Sequence, residues 1–396
     1  MNAALGVPQR LRDPHGRYYT DEKIGDLVVN GFDKTEPSNI LDLGSGSGVL
    51  TIAAKKKWGE ADVLSVDLHD EEMSCNLGVD SYLQANILDL NFVLSLESQG
   101  KVFDVAICNP PYTFPDWRPE FEEILEMANL GGALPVSERV PLVVLFIAQN
   151  IRLLRKGGEA AIIVPDGVIS SESYKKFRSL LSSSVNITKI VKLPEGSFRR
   201  TEAQAHVIYF KKKSEGRQDV FFQKASPDEL LSIKVRRNVF KSLASWDFDR
   251  ADFFLNKKSD NNIGSLNVEV FRGNIENSKA KEIGLKIFHT TDFPDRSGGS
   301  VRLCLARKIN REKIRTAKKG DILLARVGRN LFKKVAVVAS GESAISDCVI
   351  VIRAKEKDRK KILEALSVDG NGFVRSLSRG VGAKFITVND VLAIPV

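Results

Sequence analysis

Two hydrophobic textures divide the chain. In its first part, short apolar and β-branched runs recur: "NILDLG" (39–44), "ADVLSVD" (61–67), "FDVAIC" (103–108), "EAAIIVP" (159–165), "NITKIVKLP" (186–194) and "AHVIYFKK" (205–212). Each has the length and composition of a strand. Helical stretches lie between several of them, such as "VPLVVLFIAQNIRLLRKGG" (140–158) and "SESYKKFRSLLSS" (171–183). Strands alternating with helices predict a mainly parallel, doubly wound α/β sheet. The charged run "KKKSEGRQD" (211–219) ends that pattern and sets the edge of a first domain at residue 213, with 214–244 as a linker carrying a helix. From "SWDFDRADFF" (245–254) onward the texture changes to short strands, glycines and basic turns. "GDILLARVG" (320–328), "KKVAVVAS" (333–340) and "SDCVIVIRAK" (346–355) read as neighbouring strands, and "EKDRKKILEALS" (356–367) as one helix. Residues 245–396 are therefore expected to form a separate α+β domain.

Composition narrows the class. A chain of 396 residues with 43% hydrophobic and 28% charged side chains is globular rather than disordered. Its longest apolar run, "VPLVVLFIA" (140–148), is too short to span a bilayer, and "MNAALGVPQRLRD" lacks the charged start and apolar core of a signal peptide. A cytoplasmic protein without a membrane partner is expected. Cys75, Cys108, Cys304 and Cys348 are far apart, as are His15, His69, His206 and His289, so neither a disulfide framework nor a metal site is expected. The net charge of +9 is unevenly spread. Residues 215–396 hold 35 Lys and Arg against 22 Asp and Glu, and residues 1–214 hold 24 against 28. A basic domain joined to a slightly acidic one points to a polyanionic partner for the second.

"ILDLGSGSGVLTIAA" (40–54) is a strand, a glycine-rich turn and a helix start. Glycines let the backbone take positive φ and approach a ligand closely. The spacing Gly44-x-Gly46-x-Gly48 departs from the G-x-G-x-x-G of dinucleotide-binding turns. It resembles motif I of S-adenosylmethionine methyltransferases, which makes Asp42, Gly44, Ser45, Gly46 and Gly48 cofactor-binding candidates. Asp67, ending the next strand, is spaced to grip ribose hydroxyls and would repel a 2′-phosphate. The resemblance further implies that Asn86, or Asp89 close by in "QANILD" (84–89), meets the cofactor's adenine. In "HGRYYTDEKIGDLVV" (15–29) it implies that Tyr19 and Thr20 lie near the methionine end, where a helix cap is the other reading.

"FDVAICNPPY" (103–112) runs a strand into Asn109, Pro110, Pro111 and Tyr112. Prolines delete backbone donors and fix φ, so this is a rigid corner rather than a continued strand. With motif I upstream, the chain resembles the γ-class adenine-specific DNA methyltransferases. Residues 140–212 resemble the modification subunit of type I restriction systems through "PLVVLFIAQNIRLLRKGGEAAIIVPDGVISSESYKKFRSLL" and "LPEGSFRRTEAQAHVIYF". The resemblance implies a Rossmann-like S-adenosylmethionine methyltransferase fold. An adenine amine is a poor nucleophile because its lone pair is delocalised. Two acceptors, the Asn109 amide oxygen and the Pro110 carbonyl, would aim that lone pair and stabilise the charge developing on nitrogen. The target base must leave the duplex at a cost of a few kcal/mol. Stacking on Tyr112, and on Phe198 at the position the family uses for a second aromatic, would offset it at about 1–3 kcal/mol per face.

Residues 245–396 resemble one target-recognition domain of a type I specificity subunit, through "GDILLARVGRNLFKKVAVV", "SDCVIVIRAK" and "SLSRGVGAKFITVNDVLAIPV". Phosphate contacts are expected from the basic run 302–334, including Lys333 and Lys334, and from Lys384. Arg326 and Arg329, flanking Gly328, are candidates for base edges. The expected activity is site-specific methylation of adenine N6 in duplex DNA within a restriction-modification or related defence system, by a monomer or homodimer partnered by a restriction endonuclease or another subunit. Methylation of cytosine N4, of RNA or of a protein glutamine is the alternative.

Overall fold

The six apolar runs of the first part become strands of one sheet, and three more strands join them. The computed structural model describes residues 20–34, 36–69, 81–134, 139–198, 204–213, 219–226, 229–243, 245–256, 261–304, 314–366, 373–380 and 383–396. Two units emerge, Met1–Phe248 and Asp249–Val396. The first unit contains β1 (Asn39–Leu43), β2 (Asp62–Asp67), β3 (Ser81–Gln84), β4 (Phe103–Cys108), β5 (Leu154–Pro165), β6 (Val185–Lys192), β7 (Ala205–Lys212), β8 (Val220–Ala225) and β9 (Leu230–Val235). Its helices include α1 (Glu22–Asn30), α2 (Val49–Lys57), α3 (Leu90–Ser98), α4 (Pro119–Met127) and α5 (Leu142–Leu153).

The strand order is β3-β2-β1-β4-β5-β7-β6-β8-β9. The run from β3 to β5 is parallel, and β7 enters antiparallel between β5 and β6. All six residues of β4 are buried, as a parallel strand covered on both faces requires. The twelve residues of α5 are buried too, because that helix is apolar nearly all round. Asp104 ties the entry of β4 to that of β1: its carboxylate accepts from the N–H groups of Ser38 (2.7 Å) and Asn39 (3.3 Å) and pairs with Arg155 and Lys34. The chain crosses from β1 to β2 in one direction along the sheet and from β4 to β5 in the other, so right-handed crossovers place the two connections on opposite faces. Such a reversal opens a crevice beyond the carboxyl ends of the two strands.

The expected linker at 214–244 is corrected. Its described residues extend the sheet, with β8 parallel to β6 and β9 antiparallel to β8. Phe222 of β8 is fully buried and packs against Phe240, which stacks on Trp246 at 5.0 Å. The charged run at 211–219 bridges two strands rather than two domains. Beyond it, Lys192 pairs with Asp247 at 2.7 Å and the Trp246 N–H donates to Ile169. These contacts keep residues 245–248 with the first unit, so the division falls at 248/249 instead of 213.

The second unit is α+β. Strands Glu269–Arg272, Val349–Arg353, Ile322–Ala325, Val335–Ser340 and Gly299–Arg302 form its main sheet in that order. Alternate residues serve two apolar layers: Ile322, Leu324, Ile350 and Ile352 face one, Leu323, Val349 and Val351 the other. Helix Glu356–Leu366 covers the first layer through Ile362 and Leu366. Asp390, 1% exposed, is held by Arg250 at 2.6 Å and Arg379 at 2.7 Å. Among the described residues no helix is long and apolar enough to cross a membrane.

Candidate active site

Leu43 ends β1 and Cys108 ends β4, so Gly44 and Asn109 emerge side by side at the crevice. A cavity of about 340 Å³ occupies it. Its wall includes Gly44–Ser47, Asp67, Asn86, Thr20, Asn109 and Pro111. Residues far apart in sequence thus border one space.

The glycine turn adopts the backbone its sequence demands, with φ of 76° at Gly44, 50° at Gly46 and 74° at Gly48. A Cβ on Gly44 would stand 2.9 Å from the Phe146 ring of α5, so this position tolerates no side chain. Around Gly46, nothing lies within 4 Å of where a Cβ would stand. The turn's backbone is therefore open to the cavity. Asp67 is fastened to it, accepting from the N–H groups of Gly46 (2.9 Å) and His69 (3.1 Å). A fixed carboxylate beside an open glycine turn, in an apolar-walled cavity, fits a ribose with its purine.

Beneath the turn, Asp42 is fully buried and its Oδ2 accepts from Thr51 at 2.7 Å. Burial, helped by the charge of Asp67 and opposed by the Thr51 bond, pushes its carboxyl up to about 7. Asp42 does not line the cavity; it supports the turn from below.

At the end of β4, Asn109 Nδ2 donates to Thr20 Oγ1 at 2.9 Å. That bond fixes the amide's orientation, spending its donor end on Thr20 and leaving Oδ1, a buried atom, as the acceptor end. Thr20 was expected at the cofactor; it lines the cavity and also holds Asn109. Pro110 is buried and Tyr112 half-buried beside this corner.

Several expectations are corrected. Phe198 is 2% exposed and packs in the core with Ile24, Val191, Leu193 and Val207, so its ring offers no face to a base. Its backbone pairs with Thr20 instead, backing the residue that orients Asn109. Asp89 caps α3, accepting from the Asn91 N–H at 2.9 Å, and lies outside the cavity wall, whereas Asn86 is in it. Tyr19 lies outside the described residues. Sequence spacing also hid a polar cluster: Asp166, His206 and Asp247 bring ligand-type atoms within 4.8 Å of one another. The Lys192 ammonium, 2.7 Å from Asp247, supplies positive charge there.

In the second unit, the strand pair Val327–Gly328 and Lys384–Phe385 brings the stretch 326–329 beside Lys384. Two predicted contacts are spent internally: Arg326 on Asp347 (Nε to the carbonyl, 2.7 Å) and Lys334 on the Thr290 carbonyl (2.7 Å). Arg329 and Lys333 are exposed.

The family model described as N-6 DNA Methylase matches residues 9–270. The type I restriction enzyme EcoEI methylase subunit of Escherichia coli is 23% identical over 278 residues, 64% of this chain and 55% of that protein. The type II methyltransferase M.BsuBI of Bacillus subtilis is 22% identical over 307 residues, 67% of this chain and 60% of that one. The chain thus spans little more than half the length of these relatives. A solved structure of the type IIG restriction endonuclease BpuSI superposes with a TM-score of 0.54 at 11% identity, covering 96% of this chain and 58% of that one, a likeness of fold alone.

Proposed function

The chain belongs to the N-6 DNA Methylase family, and on that premise we propose that it methylates the N6 amine of an adenine turned out of duplex DNA at a defined site. The observation that carries this reading is one cavity bordered both by the Gly44–Ser47 turn with Asp67 and by Asn109 and Pro111 of the corner. S-adenosylmethionine would be held by the glycine turn, Asp67 and Asn86. Bound there, it supplies an electrophilic sulfonium methyl group.

The chain's own residues do the rest. Asn109 Oδ1, oriented through Thr20, and the Pro110 carbonyl accept the two N–H groups of the amine. Its lone pair then points across the cavity, and the fixed dipoles stabilise positive charge on nitrogen as it develops. The prolines keep these acceptors from reorganising. Tyr112 stacks on the base. Around the site, the buried ends of β1 and β4 exclude water.

The second unit, on this reading, is a target-recognition domain in which Arg329, Lys333 and Lys384 meet DNA. The enzyme would act in the cytoplasm within a restriction-modification or related defence system, as a monomer or homodimer alongside a restriction endonuclease or another subunit. Incubation with tritiated S-adenosylmethionine tests the reading. Label recovered as N6-methyladenine in duplex DNA is expected; label recovered only as N4-methylcytosine, or only in RNA or protein, overturns it.

A further inference from the structure

All twelve residues of α5 are buried, yet Gln149, Asn150 and Arg152 are polar. Burying such groups is unfavourable unless they are bonded. Asn150 bonds within its own helix, its Nδ2 donating to the Phe146 carbonyl at 2.8 Å. Gln149 reaches out of the helix instead. Its Nε2 donates to the Ile87 carbonyl at 2.8 Å. Its Oε1 accepts from Arg152 at 3.3 Å, and Arg152 in turn pairs with Glu97 of α3 at 3.0 Å. Ile87 belongs to residues 85–88, a continuous stretch of cavity wall between β3 and α3. Leu142, Phe146, Gln149 and Arg152 follow one another at helical spacing and so share one face of α5. On that face Leu142 and Phe146 line the cavity, and the Phe146 ring stands against Gly44. One buried helix face thus backs both the glycine turn and the 85–88 stretch.

We propose that Gln149 is a positioning residue for S-adenosylmethionine, holding residues 85–88 in the conformation that receives the cofactor. The inference rests on the placement of S-adenosylmethionine in this cavity proposed above. The stretch is tied at its entry by the Ala85 N–H, which donates to the Asp67 carbonyl at 2.9 Å, and it ends at the Asp89 cap of α3. Between these ties Gln149 fixes its middle from a buried helix. Asn86, whose Oδ1 accepts from the Leu88 N–H at 3.0 Å, is thereby presented at the wall. Without the Gln149 bond the free protein would populate other conformations of the stretch, and the cofactor would bind the competent fraction alone. Apparent affinity falls in proportion to that fraction, whereas a saturated site has the stretch seated and reacts at the normal rate.

The test titrates the full chain calorimetrically with S-adenosylhomocysteine, the unreactive product form of the cofactor, in the absence of DNA. Gln149→Met keeps the length and apolar bulk of the side chain and removes its donor. It is expected to raise Kd by about 5- to 30-fold. In steady-state methylation, kcat at saturating cofactor should stay within about twofold of wild type, with the loss confined to cofactor KM. Hydrogen exchange at the backbone amides of residues 85–88 should be faster in the free variant and return to wild-type protection once S-adenosylhomocysteine saturates it. Gln149→Glu, whose ionised carboxylate still accepts from Arg152 but cannot donate to Ile87, should raise Kd at least as much, and it carries the test if Gln149→Met does not fold. An unchanged Kd, or a lower kcat at unchanged cofactor KM, overturns the proposal. So does exchange that is unaltered at 85–88 or raised evenly over the first unit, which would make Gln149 a support of the fold alone. A wild-type chain that binds no S-adenosylhomocysteine overturns the cofactor placement itself. The two failures are distinguishable, because one shows in the wild type and the other only in the variants.

Discussion

Thr20 holds the donor end of the Asn109 amide, and much of the proposed chemistry depends on that bond. Asn109→Ala should lower methyl transfer by about a hundredfold or more while duplex binding persists. Thr20→Val should lower kcat by about tenfold with little change in cofactor KM; a raised cofactor KM at unchanged kcat would return Thr20 to a cofactor role alone. Asp42 gives a pH signature. Its carboxyl, normally near 3.9, is raised to about 7 mainly by burial. A raised acid stabilises the fold fully below its unfolded pKa, and that contribution is lost as pH rises through about 7. Asp42→Asn should therefore raise the Tm at pH 8 by roughly 5 °C or more and leave it nearly unchanged at pH 4. Equal shifts at both pH values would contradict this. At this scale the placement of Gly44, Asp67 and Asn109 at strand ends around one cavity was legible because the glycine turn and the proline corner are local signals. Phe198 was not: whether an aromatic ring faces a base or the core depends on packing that no spacing records. Asp89 carried a readable signal, since an aspartate immediately before "LNFVLSL" is a helix cap.

The strand runs were legible as elements because the β-branched texture, the glycine turn and the proline corner all agree on where strands end. Observed β4 and β7 coincide with the expected 103–108 and 205–212. The failure lay at 214–244, where a charged run carries the same signal whether it joins two strands or two domains. The alternation in "VFFQKA" and "LLSIKV" was the better guide. Because Phe222 is fully buried against Phe240, Phe222→Ala should destabilise the first unit by about 3–5 kcal/mol in denaturant titrations. A loss below about 1 kcal/mol would mean that β8 is an appendage rather than part of the core.

For the whole molecule, the positive excess of residues 215–396 was plain from sequence, but its division between structure and surface was not. Arg326, Lys334 and Arg353 serve internal carboxylates or carbonyls, whereas Arg329 and Lys333 face solvent. Replacing Arg329 and Lys333 together with alanine should reduce the slope of log K against log salt for DNA binding by about one unit each. Unchanged slope would remove them from the phosphate contacts.

The most direct test of the central claim is long-read methylation mapping of DNA from cells that express this chain or its Asn109→Ala variant. N6-methyladenine at one recurring sequence motif with the wild-type chain, absent with the variant, is the predicted result. Methylation that persists with Asn109→Ala, or modification confined to cytosine, would contradict it.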